Sequence, residues 1–314
     1  MGNLACQRFS GLPTPNDHHP TRPPVSPKRP PAPPAKTYAQ LLAETQRLEC
    51  AATTAPAPAK QFPIWPDAVR CVPNAVLRSA LFGISTNRKF HRTRTVIASV
   101  DIFEIRFKGE SFNQTDLDTW EMLLHVARLQ PLGTEVKFTA HSILKQLGRG
   151  TGKSQHEELK EQFARLGSGW TEITWTKEQK TFAGTLLSSY CRDDLTGSYA
   201  VQFNKNMLEL YESGHTLIDW NQRQSLGKNN LAKWLHGHYA SHAKPYPYKV
   251  QTLRELSGSD VVELRKFRQM LKAALALLVD VGVLISWSIN DDDLVHVVRP
   301  PSATQARHLA RKPR

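Results

Sequence analysis

Cysteine is scarce in this chain of 314 residues. Its four thiols, Cys6, Cys50, Cys71 and Cys191, stand far apart and form no Cys-x-x-Cys pair. That excludes a disulfide framework and a cysteine zinc finger, and it points to a reducing, cytoplasmic setting. Long apolar runs are missing as well. No stretch approaches about 18 uninterrupted apolar residues, so neither a membrane span nor a membrane partner is expected. The start, MGNLACQRFSG, lacks an apolar run of signal-peptide length. It also carries Cys6 where a myristoylation signal needs Ser or Thr. Acid is the scarcer charge: Lys and Arg number 41 against 28 Asp and Glu, a net +13. Such a surplus points to a polyanionic partner, nucleic acid first. No Ser/His/Asp or Cys/His arrangement can be argued from spacing. Neither an enzyme nor a cofactor is expected.

What is present is unevenly spread. Residues 1–60 hold 12 of the 21 prolines around one short helical patch, Tyr38 to Leu48. That composition buries too little apolar surface to offset ordering entropy, so it predicts a disordered proline-rich tail. Residues 61–94 read as a lead-in segment that ends in a basic run, RKFHRTR. Its Arg88, Lys89, Arg92 and Arg94 fit an exposed loop or a phosphate-binding arm. Two folded domains are expected at 95–214 and 215–298, and a basic tail at 299–314.

The two expected domains repeat one order of elements. In the first, strand VIASVDIFEIRF precedes a helix through Leu117, Trp120 and Leu124. A Pro-Leu-Gly turn, a short strand (136–138), a short helix (139–147), a glycine-rich turn and a longer helix (154–166) follow. Strands WTEITW, TFAGTLLSSY and SYAVQF come next. In the second, the order is a helix (228–242), a Pro-Tyr-Pro turn, a short strand (248–250), a short helix (251–256), Ser-Gly-Ser, a long helix (260–280) and two strands, VLISWSI and LVHVV. LLHVARLQPLGTEVKFTAHSILKQLG lies over WLHGHYASHAKPYPYKVQTLRELSG at an offset of ~110 residues. Helix-turn-helix followed by a hairpin is the winged-helix order. The fold expected is therefore α+β: two tandem winged-helix domains behind a disordered tail.

In a helix-turn-helix the second helix enters the major groove, so its outer face must offer donors. Over 260–280, Val261, Leu264, Phe267, Leu271, Ala274 and Leu278 share one side. Arg265, Gln269 and Lys272 share the other, flanked by Lys266 and Arg268. Arg265 and Arg268 are the best base readers, because a guanidinium can grip guanine bidentately. Asp260 is expected to cap this helix. Ser257, Ser259, Lys249 and Arg254 lie around its approach, where hydroxyls and cations suit phosphate. The first long helix offers Lys153, Lys160 and Arg165 among Glu157, Glu158 and Glu161, which suits backbone contact more than base reading.

Three look-alikes carry other chemistry. Residues 147–154, LGRGTGKS, resemble a phosphate loop, but glycine comes one place late and a helix precedes it where a strand is needed. His236, His238 and His242 suggest a metal or nickase site, yet no carboxylate or cysteine completes it. Asp291, Asp292 and Asp293 are more simply an Asx-rich turn. Competing readings are a transcriptional regulator on the same fold, and a metal-dependent nuclease or nickase.

Four segments resemble one family. PIWPDAVRCVPNAVLRSALF (63–82), PLGTEVKFT (131–139), KPYPYKVQTLRELSGSD (244–260) and WSINDDDLVH (287–296) are similar to TrfA-type plasmid replication initiators. The resemblance spans about 62–298 and implies two winged-helix domains that bind repeated sites, iterons, at a plasmid origin. It implies opening of an A·T-rich segment, recruitment of the host replicative helicase alongside the host initiator protein, and a monomer–dimer equilibrium. By position it implies recognition helices at 153–166 and 260–280. The proline-rich first 60 residues depart from the family's leader.

Overall fold

The computed structural model describes Gln40 and residues 61–100, 102–131, 134–302 and 305–306. Apart from Gln40, the expected tail and its helical patch lie outside the described residues, as does the end of the chain from 307. Residues 58–314 form one compact unit. The chain is a mixture of helix and strand around two hydrophobic cores.

The lead-in segment is part of the fold. It forms β1 (Val69–Pro73), helix α1 (Asn74–Leu77), β2 (Phe82–Gly83) and β3 (Phe90–Ile97). Next come β4 (Phe103–Glu110), β5 (Phe112–Asn113), α2 (Gln114–Ala127), β6 (Val136–Thr139), α3 (Ala140–Gln146) and α4 (Lys153–Ser168). The basic run expected as a loop or arm becomes an edge strand from Phe90 onward, with Arg88 and Lys89 just before it. Its Thr93, Thr95, Val96 and Ile97 favour extended backbone, and it pairs antiparallel with β4. The strand read as one piece from Val96 breaks between Ile97 and Phe103.

The chain continues with β7 (Trp170–Trp175), β8 (Lys180–Gly184), β9 (Leu187–Asp193) and β10 (Ser198–Phe203). TFAGTLLSSY, read as one strand, is two. The run leaves the four-stranded sheet β3-β4-β7-β8 at Gly184 and enters the three-stranded sheet β6-β10-β9 at Leu187. Glycine is needed at the switch, because a Cβ on Gly184 would lie 2.5 Å from Asn204 Nδ2.

After a 3-10 turn, α5 (Leu208–Glu212), β11 (His215–Asp219) and α6 (Trp220–Ser225) complete the first lobe. β11 runs back beside β1, Cys71 facing Leu217. Neither of these helices nor β11 is legible in the sequence patterning. The second lobe is α7 (Asn230–Ala240), β12 (Tyr248–Lys249), α8 (Val250–Leu256), α9 (Leu264–Asp280), β13 (Ser286–Ile289) and β14 (Leu294–Val298). Its sheet order, β12-β14-β13, repeats β6-β10-β9. The hairpin β7-β8 is what the first lobe adds between its long helix and its ribbon.

The first core holds residues from Phe62 to Trp220 together with Ala240, and the second holds Ile84 and others between Leu226 and Val295. α2 lies at their junction and is buried almost all round. Its start is fixed by a capping box: Asn113 Oδ1 accepts from the amides of Thr115 and Asp116, and Asp116 Oδ2 accepts from the Asn113 amide.

Candidate nucleic-acid interface

α9 carries the clearest division between core and solvent. Phe267, Leu271, Ala274, Leu275 and Leu278 are buried, and Arg265, Lys266, Gln269 and Lys272 are exposed. That exposed row is the expected donor face, one side of a 17-residue helix. Arg268 is placed otherwise. Its Nε donates to Asp293 Oδ1 (3.1 Å), and its Nη2 also binds the Asp293 carboxylate. Asp293 sits at φ +62° in the β13–β14 turn, a conformation Asp tolerates better than most residues. Arg268 thus ties the hairpin to the helix. A fork already filled by carboxylate is not presented to a base; of the two expected base readers, Arg265 is the one left exposed.

The approach to α9 also departs from expectation. Ser257 is fully buried, and its hydroxyl donates to Arg254 O (3.0 Å), closing the end of α8. No phosphate can reach it there. Arg254 Nη1 donates to the carbonyls of Val261 (3.4 Å) and Val262 (2.5 Å), so it fastens the lead into α9. Those carbonyls would otherwise accept helical bonds, and Val261 and Val262 are β-branched. The helix consequently begins at Leu264. Asp260 does not cap it; its carboxylate accepts from Ser85 Oγ (3.0 Å) and Asn87 Nδ2 (2.7 Å). Ser259 Oγ accepts from the Val261 amide (3.2 Å), and Lys249 is exposed on β12.

In the first lobe, Lys153 is exposed at the start of α4. Lys160 is engaged by Glu157 (2.9 Å) and by Asp194 of the β9–β10 turn (3.8 Å). Arg165 is buried, with Nε and Nη2 on Asp116 Oδ1 at 3.2 and 3.0 Å. It is a core cation and is withdrawn from any DNA surface. What remains outward on α4 is largely acid: Glu157, Glu158 and Glu161. The β9–β10 turn carries Asp193 and Asp194 beside a fully exposed Leu195.

The basic run divides in the same way. Arg88 Nη1 donates to Ser111 O (2.7 Å) and to the buried Asp116 Oδ2 (2.5 Å). Arg94 meets Glu172 at 3.0 Å on the sheet. Lys89 and Arg92 are exposed.

Between the lobes lies a cleft of about 940 Å³. One wall is the α3–α4 turn, Gly148 to Gly150, with Gln155 and Glu158 of α4. The other is the α6–α7 loop with Lys228. Thr86 lines it too, and its neighbours Ser85 and Asn87 hold Asp260 at the lead of α9. At its base Arg223 Nε donates to Asp118 Oδ1 (2.7 Å), and Lys233 Nζ donates to Asp118 Oδ2 (2.6 Å). Burial opposes ionisation of Asp118, but these two cations overcome it and hold its carboxyl below the usual range. Glu121 stands 3.3 Å from Arg223 Nε without an aligned hydrogen bond, and burial pushes its carboxyl up to about 7. Arg149 and Lys228 were missed by sequence reasoning. Arg149 sits in the phosphate-loop look-alike, a turn between two helices with Gly148 at φ +67°. A charge balance of that turn could have found it.

The histidines of α7 are interior. His236 and His238 are buried; burial pushes His236 down to about 3 and His238 well below its ordinary value. His238 lies against Trp234, ring centroids 4.7 Å apart. Among the described residues, no three His, Cys, Asp or Glu side chains are grouped to hold a metal ion. In the β13–β14 turn Asn290 Oδ1 accepts from the Leu294 amide (2.8 Å), an Asx turn. Among the described residues, no helix is long and apolar enough to cross a membrane.

A family model described as TrfA protein matches residues 59–299. The chain belongs to the TrfA family. A TrfA relative, the plasmid replication initiator protein TrfA of Escherichia coli, is 27% identical over 246 residues, covering 75% of this chain and 63% of that protein. This TrfA-family chain therefore spans 63% of the length of the curated relative it matches. Among solved structures, it is similar to a crystal structure of RctB domains 2–3, with a TM-score of 0.49 and 11% identity, over 75% of this chain and 99% of that one. A second structure of the same two domains gives 0.48 and 12%, over 72% and 98%.

Proposed function

We propose that the chain is a non-enzymatic plasmid replication initiator that binds iteron repeats in double-stranded DNA at the plasmid's origin. Family membership, with a named initiator as relative, carries this reading. The solvent-facing Arg265, Lys266, Gln269 and Lys272 of α9 support it, because they supply the donors that a major groove requires. In this reading each lobe is a winged helix. The repeated sheet order β6-β10-β9 and β12-β14-β13, each behind two helices, supports that assignment. The second lobe reads bases through Arg265 while Lys266, Lys272 and Lys249 hold phosphates. The first lobe, with its acid-rich outer helix, adds backbone contacts through Lys153 and the exposed Lys89 and Arg92, and it provides the dimer surface of the free protein. Linking two modules raises affinity through effective concentration, so neither must bind tightly alone. Opening duplex costs about 1.4 kcal/mol per step. Several bound copies therefore share the melting of an A·T-rich segment, where the host helicase and host initiator protein join in the cytoplasm.

Footprinting on the plasmid's own origin tests this directly. Protection should fall on direct repeats of ~20 base pairs, about two helical turns, with unpaired thymines appearing only in a flanking A·T-rich stretch. Metal-stimulated strand cleavage of the same fragment would overturn the non-enzymatic reading.

A further inference from the structure

The interlobe cleft is lined by five cations, Arg88, Arg149, Arg223, Lys228 and Lys233. Only two acids, Asp118 and Glu158, line it with them. Three of the cations are already matched: Arg88 by Asp116 behind the wall, and Arg223 and Lys233 by Asp118. Arg149 is not. Its Nη1 donates to Gln162 Oε1 (3.1 Å) and its Nη2 to Thr115 O (3.0 Å), both neutral acceptors. The guanidinium is held in place by neutral groups, with no direct ion pair and N–H donors to spare; Asp118, which feels its charge, is already bound by Arg223 and Lys233. Lys228 is exposed on the opposite wall and, among the described residues, forms no ion pair. Glycines on both sides of Arg149 leave the turn open to close approach. The cleft thus presents two positive charges, Arg149 held on one wall and Lys228 exposed on the other, between the start of α4 and the lead of α9.

We propose that this cleft seats the phosphodiester backbone of duplex DNA beside the groove addressed by α9, with Arg149 and Lys228 gripping it from the two lobes. The proposal rests on the reading of the chain as a duplex-DNA binder. A free nucleotide shares the phosphate chemistry, but its base would need a stacking surface. Trp220, the aromatic among the lining residues, is buried with the Arg70 guanidinium 4.5 Å from its ring centroid.

The test uses the full chain and fluorescence anisotropy with a duplex of one origin repeat and with a scrambled duplex, between about 50 and 200 mM salt. Lys228→Ala should weaken binding to both duplexes by about five- to tenfold and lower the slope of log affinity against log salt by about one. Lys228→Arg should restore both. Unchanged affinity and slope in Lys228→Ala, with wild type binding normally, would overturn the cleft while leaving the parent reading in place. A wild-type chain that ignores duplex DNA altogether would overturn both. ATP titrated in a calorimeter should give no binding heat. Binding of ATP that Lys228→Ala abolishes, with duplex affinity intact, would assign the cleft to a nucleotide and overturn the proposal.

Discussion

At the scale of residues, burial decides which ionisable groups face a partner. Asp116 is fully enclosed and takes Arg88 and Arg165 together. Two basic side chains that look available in the sequence are therefore spent inside the first core. Removing one partner of such a pair is strongly destabilising, because the other is left buried and unmatched. The histidines of α7 and His242 just beyond it have the opposite electrostatics, being held neutral by burial. Burial depresses His236 to about 3 and His242 to about 4, from an ordinary 6.5. An unfolded chain takes up protons on these imidazoles below about pH 6.5 while the folded chain does not. Their contribution is thus intact above pH 6.5 and lost as pH falls toward 4, by up to ~1.4 kcal/mol per pH unit for each. Glu121 acts in the other direction. Its folded carboxyl, raised to about 7, gains stability as pH falls from 7 toward 4.5. Four imidazoles depressed by burial, His125, His236, His238 and His242, outnumber it, so the urea midpoint should be lower at pH 5 than at pH 7. A His236→Leu variant should show a shallower fall. An equal midpoint at both pH values would contradict the neutral interior.

At the scale of elements, close approaches govern where helices and strands meet. α4 ends on Gly169, where a Cβ would lie 2.5 Å from Phe112 Cζ and 3.0 Å from Arg165 O. Gly169→Ala should cost about 1–3 kcal/mol through overpacking, read as a reduced urea midpoint with an unchanged slope. No loss would mean that the junction of α4 and β7 has room for a methyl group at Gly169. The same scale shows what was legible in the sequence. The two faces of α9 could be read because a 3.6-residue period sorts side chains without knowledge of the rest of the fold. Arg268 could not be placed, since its partner Asp293 is 25 residues away in a turn. Arg165 depends on Asp116, 49 residues away, and Arg223 on Asp118, 105 away. Periodicity does not reach contacts of that separation. It also failed at Gly184, where one run serves two sheets, and at β1 and β11, whose pairing joins residues 69–73 to 215–219.

At the scale of the whole molecule, charge is unevenly spread along the chain. Residues 1–60 carry a net +4, 61–94 a net +5 and 299–314 a net +5, whereas 95–214 carry −3 and 215–298 only +2. Most of the surplus lies outside the two repeated units, and within the second it concentrates over 244–272, with seven basic residues against three acidic. Attraction from the ends of the chain is non-specific and salt-sensitive, and in the proposed reading sequence choice falls to α9. Deleting residues 1–60 should therefore leave the affinity for an origin repeat largely intact while reducing binding to random DNA at low salt. A collapse of specific binding would make the tail part of the site. The central claim is that Arg265 on α9 reads a base pair, and Arg265→Ala tests it most directly. Measured against an origin repeat and its single-base-pair variants, the substitution should cost ~1–3 kcal/mol and erase preference at one base pair only. An equal loss on repeat and random DNA, with every base preference retained, would contradict it.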